Sequence, residues 1–159
     1  MSVALFRIDD RLIHGQVVVG WGQTLGIGFI VLVDDDVRGS DWEQELYRMG
    51  VPPQVSVVFA SVAEAAAQLP AWQADERKGI VLTGDVETMA RLVRETPGAV
   101  RSVNVGGVHY REGRKERLRY VYLNDAEAET LRSIGAGGAE VAALDVPTGT
   151  KVPLADFLA

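Results

Sequence analysis

The sequence predicts an α/β fold with helices on both faces of a mostly parallel sheet. Three observations lead there. Short apolar, β-branched runs alternate with helix-like segments. The runs IVLV (30–33), VSVVF (55–59) and IVL (80–82) are nearly continuous rather than alternating, as strands buried on both faces are. The links between them are short and carry helix-start signals, the pattern of strand–helix–strand units.

Strands are expected over Val3–Ile8, Phe29–Asp34, Val55–Ala60, Gly79–Thr83, Arg101–Val105, Tyr120–Leu123 and Glu140–Leu144. Ser40…Glu43, Ser61…Glu64 and Asn124…Glu127 each place a capping oxygen three residues before a Glu, which marks a helix start. Asp85 can cap a helix over Val86–Glu95 that stops before Pro97. The helix after Asn124 runs out into glycines at 135, 137 and 138. Val108–Leu123 breaks the rhythm and reads as an excursion with a turn near Glu112-Gly113, ending in an antiparallel pairing. The tail Pro147–Ala159 has two prolines and little pattern. Trp21 and Trp42 fall at amphipathic positions and are expected in or near the core, whereas Trp72, after Pro70, is expected in a loop. With no repeat and no linker, one domain over 1–159 is expected.

Composition excludes several classes of function. Sixteen bases against 22 acids give a net charge of −6, the wrong sign for a general nucleic-acid binder. No cysteine is present, so there is no disulfide framework, thiolate nucleophile or thiolate zinc ligand. No apolar run approaches the ~18 residues of a membrane span, and MSVALFRIDD does not read as a signal peptide. A cytoplasmic setting is the simplest expectation, compatible with peripheral docking on a membrane protein.

The chemistry concentrates after the first strand, in Arg7-Ile8-Asp9-Asp10-Arg11-Leu12-Ile13-His14-Gly15-Gln16. Such a loop lies at the carboxyl ends of the strands, where open α/β sheets place ligands. A helix starting near His14-Gly15 aims backbone N–H groups at the loop and favours phosphate. The neutral nitrogen of His14 is a nucleophile. Arg11 offers forked donors to a transferring phosphoryl group. Asp9 or Asp10 could hold one ring nitrogen protonated so that the other attacks. Gly15 lets a phosphate approach the backbone.

The string RIDDRLIHGQVVVGW resembles the signature loop of the IIB subunits of the mannose/fructose/sorbose family of the bacterial phosphotransferase system. Further segments match in the same order: IVLVDDDV (30–37), Val51-Pro52-Pro53-Gln54-Val55, SVNVGGV (102–108) and Val141–Thr148. The resemblance implies a three-layer α/β/α sandwich with strand order 3-2-4-1-5-6 and an antiparallel strand at one edge. It implies that a histidine on a IIA partner phosphorylates His14, by family precedent on Nδ1. The phosphoryl group then passes to a sugar held by membrane subunits IIC and IID. No metal and no cofactor is implied. The same strand order brings Thr83-Gly84-Asp85 and Gly106-Gly107 beside His14, so Gly15, Gln16, Thr83, Gly84, Gly106 and Gly107 are expected around the phosphate.

Some positions depart from the family pattern. Relatives commonly carry a base where this chain has Gly20, and basic residues on the second helix where it has Glu43 and Glu45. Bases cluster instead at Arg111, Arg114, Lys115, Arg117 and Arg119, a solvated hairpin or a docking patch for an acidic partner. His109 reads more readily as a loop histidine than as a site residue. Two other functions compete: a regulatory phospho-acceptor that signals without sugar transport, and a small-molecule or nucleotide domain with no covalent step. The latter lacks both a Walker loop and GxGxxG. The sugar and the oligomeric state, homo-oligomer included, are not written in the sequence.

Overall fold

The computed structural model describes residues 2–159. Continuous apolar runs become central strands, because only a strand covered on both sides can afford apolar residues at every position. The strands are β1 (Val3–Asp9), β2 (Ile27–Val33), β3 (Ser56–Ala60), β4 (Lys78–Thr83), β5 (Ser102–Gly107), β6 (Lys115–Leu118), β7 (Val121–Leu123), β8 (Glu140–Ala143) and β9 (Val152–Pro153). Among the described residues the main sheet runs β3-β2-β4-β1-β5-β8-β9, and β6-β7 form a separate antiparallel pair. All neighbours in the main sheet are parallel except β8 and β9. Omitting the hairpin, this is the expected order 3-2-4-1-5-6 with an antiparallel edge. That edge, β9, comes from the tail in which the sequence shows little pattern. Two residues pairing through backbone alone leave no periodicity to read.

The helices are α1 (Gln16–Trp21 continued by Gly22–Leu25), α2 (Asp35–Arg38), α3 (Asp41–Met49), α4 (Val62–Gln73), α5 (Val86–Glu95), α6 (Asp125–Ala136) and α7 (Leu154–Phe157). Side chains alternate across the sheet and split the core in two. Phe6, Ile8, Val31 and Val33 face one way and meet α4, α5, α6 and α7 through Leu69, Met89, Leu131 and Phe157. Ile30, Leu32, Ile80 and Leu82 face the other way and meet Val17, Val18 and Trp21 of α1, with Tyr47 of α3 partly buried against them. This is the three-layer sandwich.

Capping explains where helices start. Ser61 and Glu64, and Asn124 and Glu127, close reciprocal capping boxes, and the Asp85 carboxylate accepts the Thr88 N–H. Ser40 occupies the cap of α3 but makes no side-chain capping bond; Gln44 instead reaches back to the carbonyls of Val37 and Arg38. Two aromatic placements also differ from expectation. Pro70 and Trp72 lie inside α4, with Trp72 buried, because the apolar face of that helix continues past the proline. Trp42 is 70% exposed, since α3 buries no residue fully.

One glycine sets the spacing of the sheet. A Cβ on Gly79 would lie 2.1 Å from the ring of Phe29 on the adjacent strand. Gly79→Ala therefore forces a buried ring to move, an overpacking that costs about 2 kcal/mol. Urea unfolding should show a lower midpoint with an unchanged slope.

Candidate active site

Strand β1 is central, and its carboxyl end lies between β4 and β5. Ile8 pairs with Thr83 on one side, and Asp9 with Gly107 on the other. The loop leaving β1 thus emerges between the ends of two neighbouring strands.

Asp9 is the hub. Its side chain has no exposed surface. Oδ2 accepts from Arg7 Nη2 at 3.1 Å and Arg11 Nη2 at 2.9 Å, and lies 3.1 Å from His14 Nε2. Oδ1 accepts the backbone N–H and the Nε–H of Arg11, each at 3.1 Å. Burial alone would raise the carboxyl pKa. Hydrogen bonds from His14 and Arg11, with the charge of Arg7, outweigh it and hold the group well below the usual carboxylate range. The sequence left Asp9 and Asp10 as alternative partners for His14, and the geometry gives that place to Asp9. Asp10 turns away and engages His109.

His14 is held at both ring nitrogens. The N–H of Gln16 points at Nδ1 at 3.3 Å, while Nε2 faces the Asp9 carboxylate. A carboxylate can only accept and a backbone N–H can only donate. The pattern therefore assigns the proton to Nε2 and the lone pair to Nδ1. Gly15 precedes the first helical turn, and α1 opens with π-helical winding over Gln16–Trp21. That wider turn sends Val17, Val18 and Trp21 inward and leaves Val19 outside.

The backbone of the loop is strained. Leu12 has φ 62°, the one non-glycine in the left-handed region among the described residues, a conformation that costs ~1–2 kcal/mol. Gly84 receives its side chain: a Cβ there would sit 2.7 Å from Leu12 Cδ2. Gly84 thus meets the loop through Leu12. Thr83 is fully buried and its hydroxyl donates to the Asp85 carbonyl, within its own turn.

Arg7 is the residue that sequence reasoning missed. Its guanidinium is fully buried. Nη1 donates to Asn104 Oδ1 at 2.5 Å and to the Leu144 carbonyl at 2.9 Å; Nη2 donates to Asp9 and to the Asp145 carbonyl. Its Cζ lies 5.2 Å from the centre of the Trp21 ring, and Trp21 Nε1 donates to that same Asp145 carbonyl. Burial pulls the Arg7 pKa down, and Asp9 opposes the shift. Gly106 exists for this side chain: a Cβ there would lie 1.9 Å from Arg7 Cζ. Gly106 thus has a steric role in the cage of Arg7. A Cβ on Gly107 would crowd Asp9 and Arg11 at 3.1 and 3.2 Å, and its carbonyl accepts the Asp10 N–H. An arginine two residues before an aspartate was the available signal, but its cage comes from positions 104, 144 and 145.

The family model for the PTS system sorbose subfamily IIB component matches residues 3–159. The chain belongs to this family. An N-acetylgalactosamine-specific phosphotransferase enzyme IIB component 1 of Escherichia coli is 34% identical over 98% of each chain. The mannose-specific EIIAB component of the same species is 31% identical over 99% of this chain, which spans 49% of that longer protein. The crystal structure of the IIB domain of the sorbose permease from Klebsiella pneumoniae superposes with a TM-score of 0.88 at 28% identity, covering 99% of this chain and 96% of that one. As a member of this IIB family, the chain is a phosphotransferase-system component.

The departures from the family pattern lie on the surface. Space around Gly20 is open, and Glu45 pairs with Arg48. The basic stretch divides. The Arg114 side chain is largely covered and forks onto Glu127, and that of Arg117 lies largely covered near Asp125. Arg111, Lys115 and Arg119 remain outside. Reversing Arg114 would therefore break a fold contact rather than test docking. Among the described residues no helix is long and apolar enough to cross a membrane.

Two outcomes follow for the hub. Because the Asp9 pKa is depressed on folding, its contribution to stability is complete above the unfolded value of 3.8 and is lost as pH falls through the lower folded value. Acid unfolding should steepen below about pH 4, and Asp9→Asn should flatten that limb. Gly106→Ala should displace Arg7 and destabilise the fold by about 3 kcal/mol, measurable by calorimetry.

Proposed function

We propose that His14 is the phosphoacceptor of a phosphorelay, taking a phosphoryl group from a phosphohistidine on a IIA partner. The observation that carries this is the ring of His14, with Nε2 against a buried carboxylate and Nδ1 left as the nucleophile. In the transfer, the donor's N–P bond breaks as the Nδ1–P bond of His14 forms. The proton on Nε2 stays in place, and Asp9 stabilises the positive charge that develops on the ring. Arg11 is half-exposed beside the ring, and its Nη1 makes no hydrogen bond among the described residues. It supplies a forked donor to the equatorial oxygens of the phosphoryl group. The N–H of Gln16, now pointing at Nδ1, becomes a donor to a phosphoryl oxygen once that nitrogen is modified, and Gly15 keeps the approach clear.

The phosphoryl group then passes to the hydroxyl of a sugar held by membrane subunits IIC and IID. The P–O bond forms as the Nδ1–P bond breaks, and the hydroxyl proton is released. The chain works at the cytoplasmic face of those subunits, with exposed Arg111 and Lys115 on the neighbouring hairpin available to an acidic partner. The EIIAB relative, in which one polypeptide is named for both components, supports a IIA partner. In-line positioning and these donors carry the transfer without assigning a step to a metal.

The test is intact mass after incubation with the upstream relay proteins and phosphoenolpyruvate. Wild type should gain one acid-labile phosphate, and His14→Ala none. Arg11→Ala should fold and accept phosphate about 10²-fold more slowly, the cost of losing one preorganised donor. Label that then leaves only with IIC/IID and sugar present supports transport; label that persists regardless favours the regulatory alternative. An unmodified wild type beside a phosphorylated IIA refutes the proposal.

A further inference from the structure

Asp9 and Asp10 are consecutive carboxylates, and each holds one of the chain's two histidines. The first pair is the site described above. The second has no part in it. Asp10 Oδ2 accepts the backbone N–H of His109 at 2.7 Å, and Oδ1 lies 2.5 Å from the ring Nδ1. Every other side-chain hydrogen bond of residues 10–15, among the described residues, stays within residues 9–16. His109 is therefore the one side chain that fixes the loop from outside by hydrogen bonding.

The loop requires such a fixing. Leu12 is held in the left-handed region, and a strained turn persists only where its surroundings over-determine it. The anchor behind His109 is firm. Its carbonyl accepts Arg114 Nη1 at 2.8 Å, and Arg114 forks onto Glu127, the residue that closes the capping box of α6 with Asn124. Helix α6 is itself seated in the core through Ala128, Leu131 and Ile134. A continuous chain of contacts thus runs from a packed helix start to the residue beside Asp9.

We propose that His109 is a positioning residue for His14: by holding Asp10 it fixes the loop in which Nε2 of His14 meets Asp9, and so keeps the nucleophile in its reactive tautomer. The role in transfer rests on the reading of His14 as the phosphoacceptor, while the role in fixing the ring does not. His109 is 53% exposed on its side chain, so its loss leaves the core intact, and a fold effect is separable from a positioning effect.

The test uses the full chain labelled with ¹⁵N and long-range ¹H–¹⁵N spectra of the imidazoles, which with two histidines contain two ring systems. Wild type should show His14 as the Nε2–H tautomer. In His109→Leu, His14 should move to a tautomer mixture, and kcat for phosphate acceptance should fall about tenfold with an unchanged KM for the donor. His109→Asn, whose amide can still donate to Asp10, should restore both, and the thermal midpoint should hold in all three. Unchanged His14 signals in His109→Leu, an unchanged rate, or equal defects in the Leu and Asn variants would overturn the proposal. A wild type that accepts no phosphate refutes the phosphoacceptor reading alone, because the spectra need no partner and still decide whether His109 sets the ring.

Discussion

The buried carboxylate of Asp9 is the constraint around which this end of the molecule is built. An ionised carboxylate removed from water is costly unless it is paired and hydrogen-bonded on all sides. Here Arg7, Arg11 and the ring of His14 all converge on it. The buried guanidinium of Arg7 in turn needs its own partners, and it recruits Asn104 and the carbonyls that follow β8. It also needs room, which Gly106 provides. One charge at the end of β1 thereby dictates a glycine on β5 and the path of the chain after β8.

The same network links the sheet to the chemistry. Because β1 is central, its outgoing loop emerges between β4 and β5. Gly84 makes room for Leu12, the Gly107 carbonyl accepts the Asp10 N–H, and the π-wound start of α1 places the Gln16 N–H against Nδ1 of His14. Arg7 and Arg11 differ in what they do for Asp9. Arg7 is sealed and neutralises its charge, while Arg11 reaches solvent and keeps Nη1 free of hydrogen bonds among the described residues, the donor that the proposed transfer uses.

Much of this is legible in the residues. Continuous apolar runs place the central strands within one or two residues of their ends, because burial on both faces is written locally. The capping boxes at Ser61 and Asn124 and the cap at Asp85 are local too, and their helices start where those residues stand. The loop 9–16 identifies itself by residue type. What was not legible depends on distant partners. Arg7 looks like an ordinary polar position on a strand, and its cage lies about 100 to 140 residues away. The choice between Asp9 and Asp10 turns on where His109 stands, and the steric role of Gly106 depends on Arg7 from another strand. Trp42 kept a helical spacing suited to a core, but α3 touches the sheet mainly through Tyr47 and leaves that face open.

The central claim is that Asp9 holds the proton on Nε2 of His14 and leaves Nδ1 to react. The most direct measurement is the identity of the modified nitrogen, read from ³¹P–¹⁵N couplings in phosphorylated, ¹⁵N-labelled protein kept at alkaline pH. Phosphorus coupled to Nδ1 of His14 is the predicted result. Phosphorus on Nε2 would require the ring to leave Asp9 and would contradict the account.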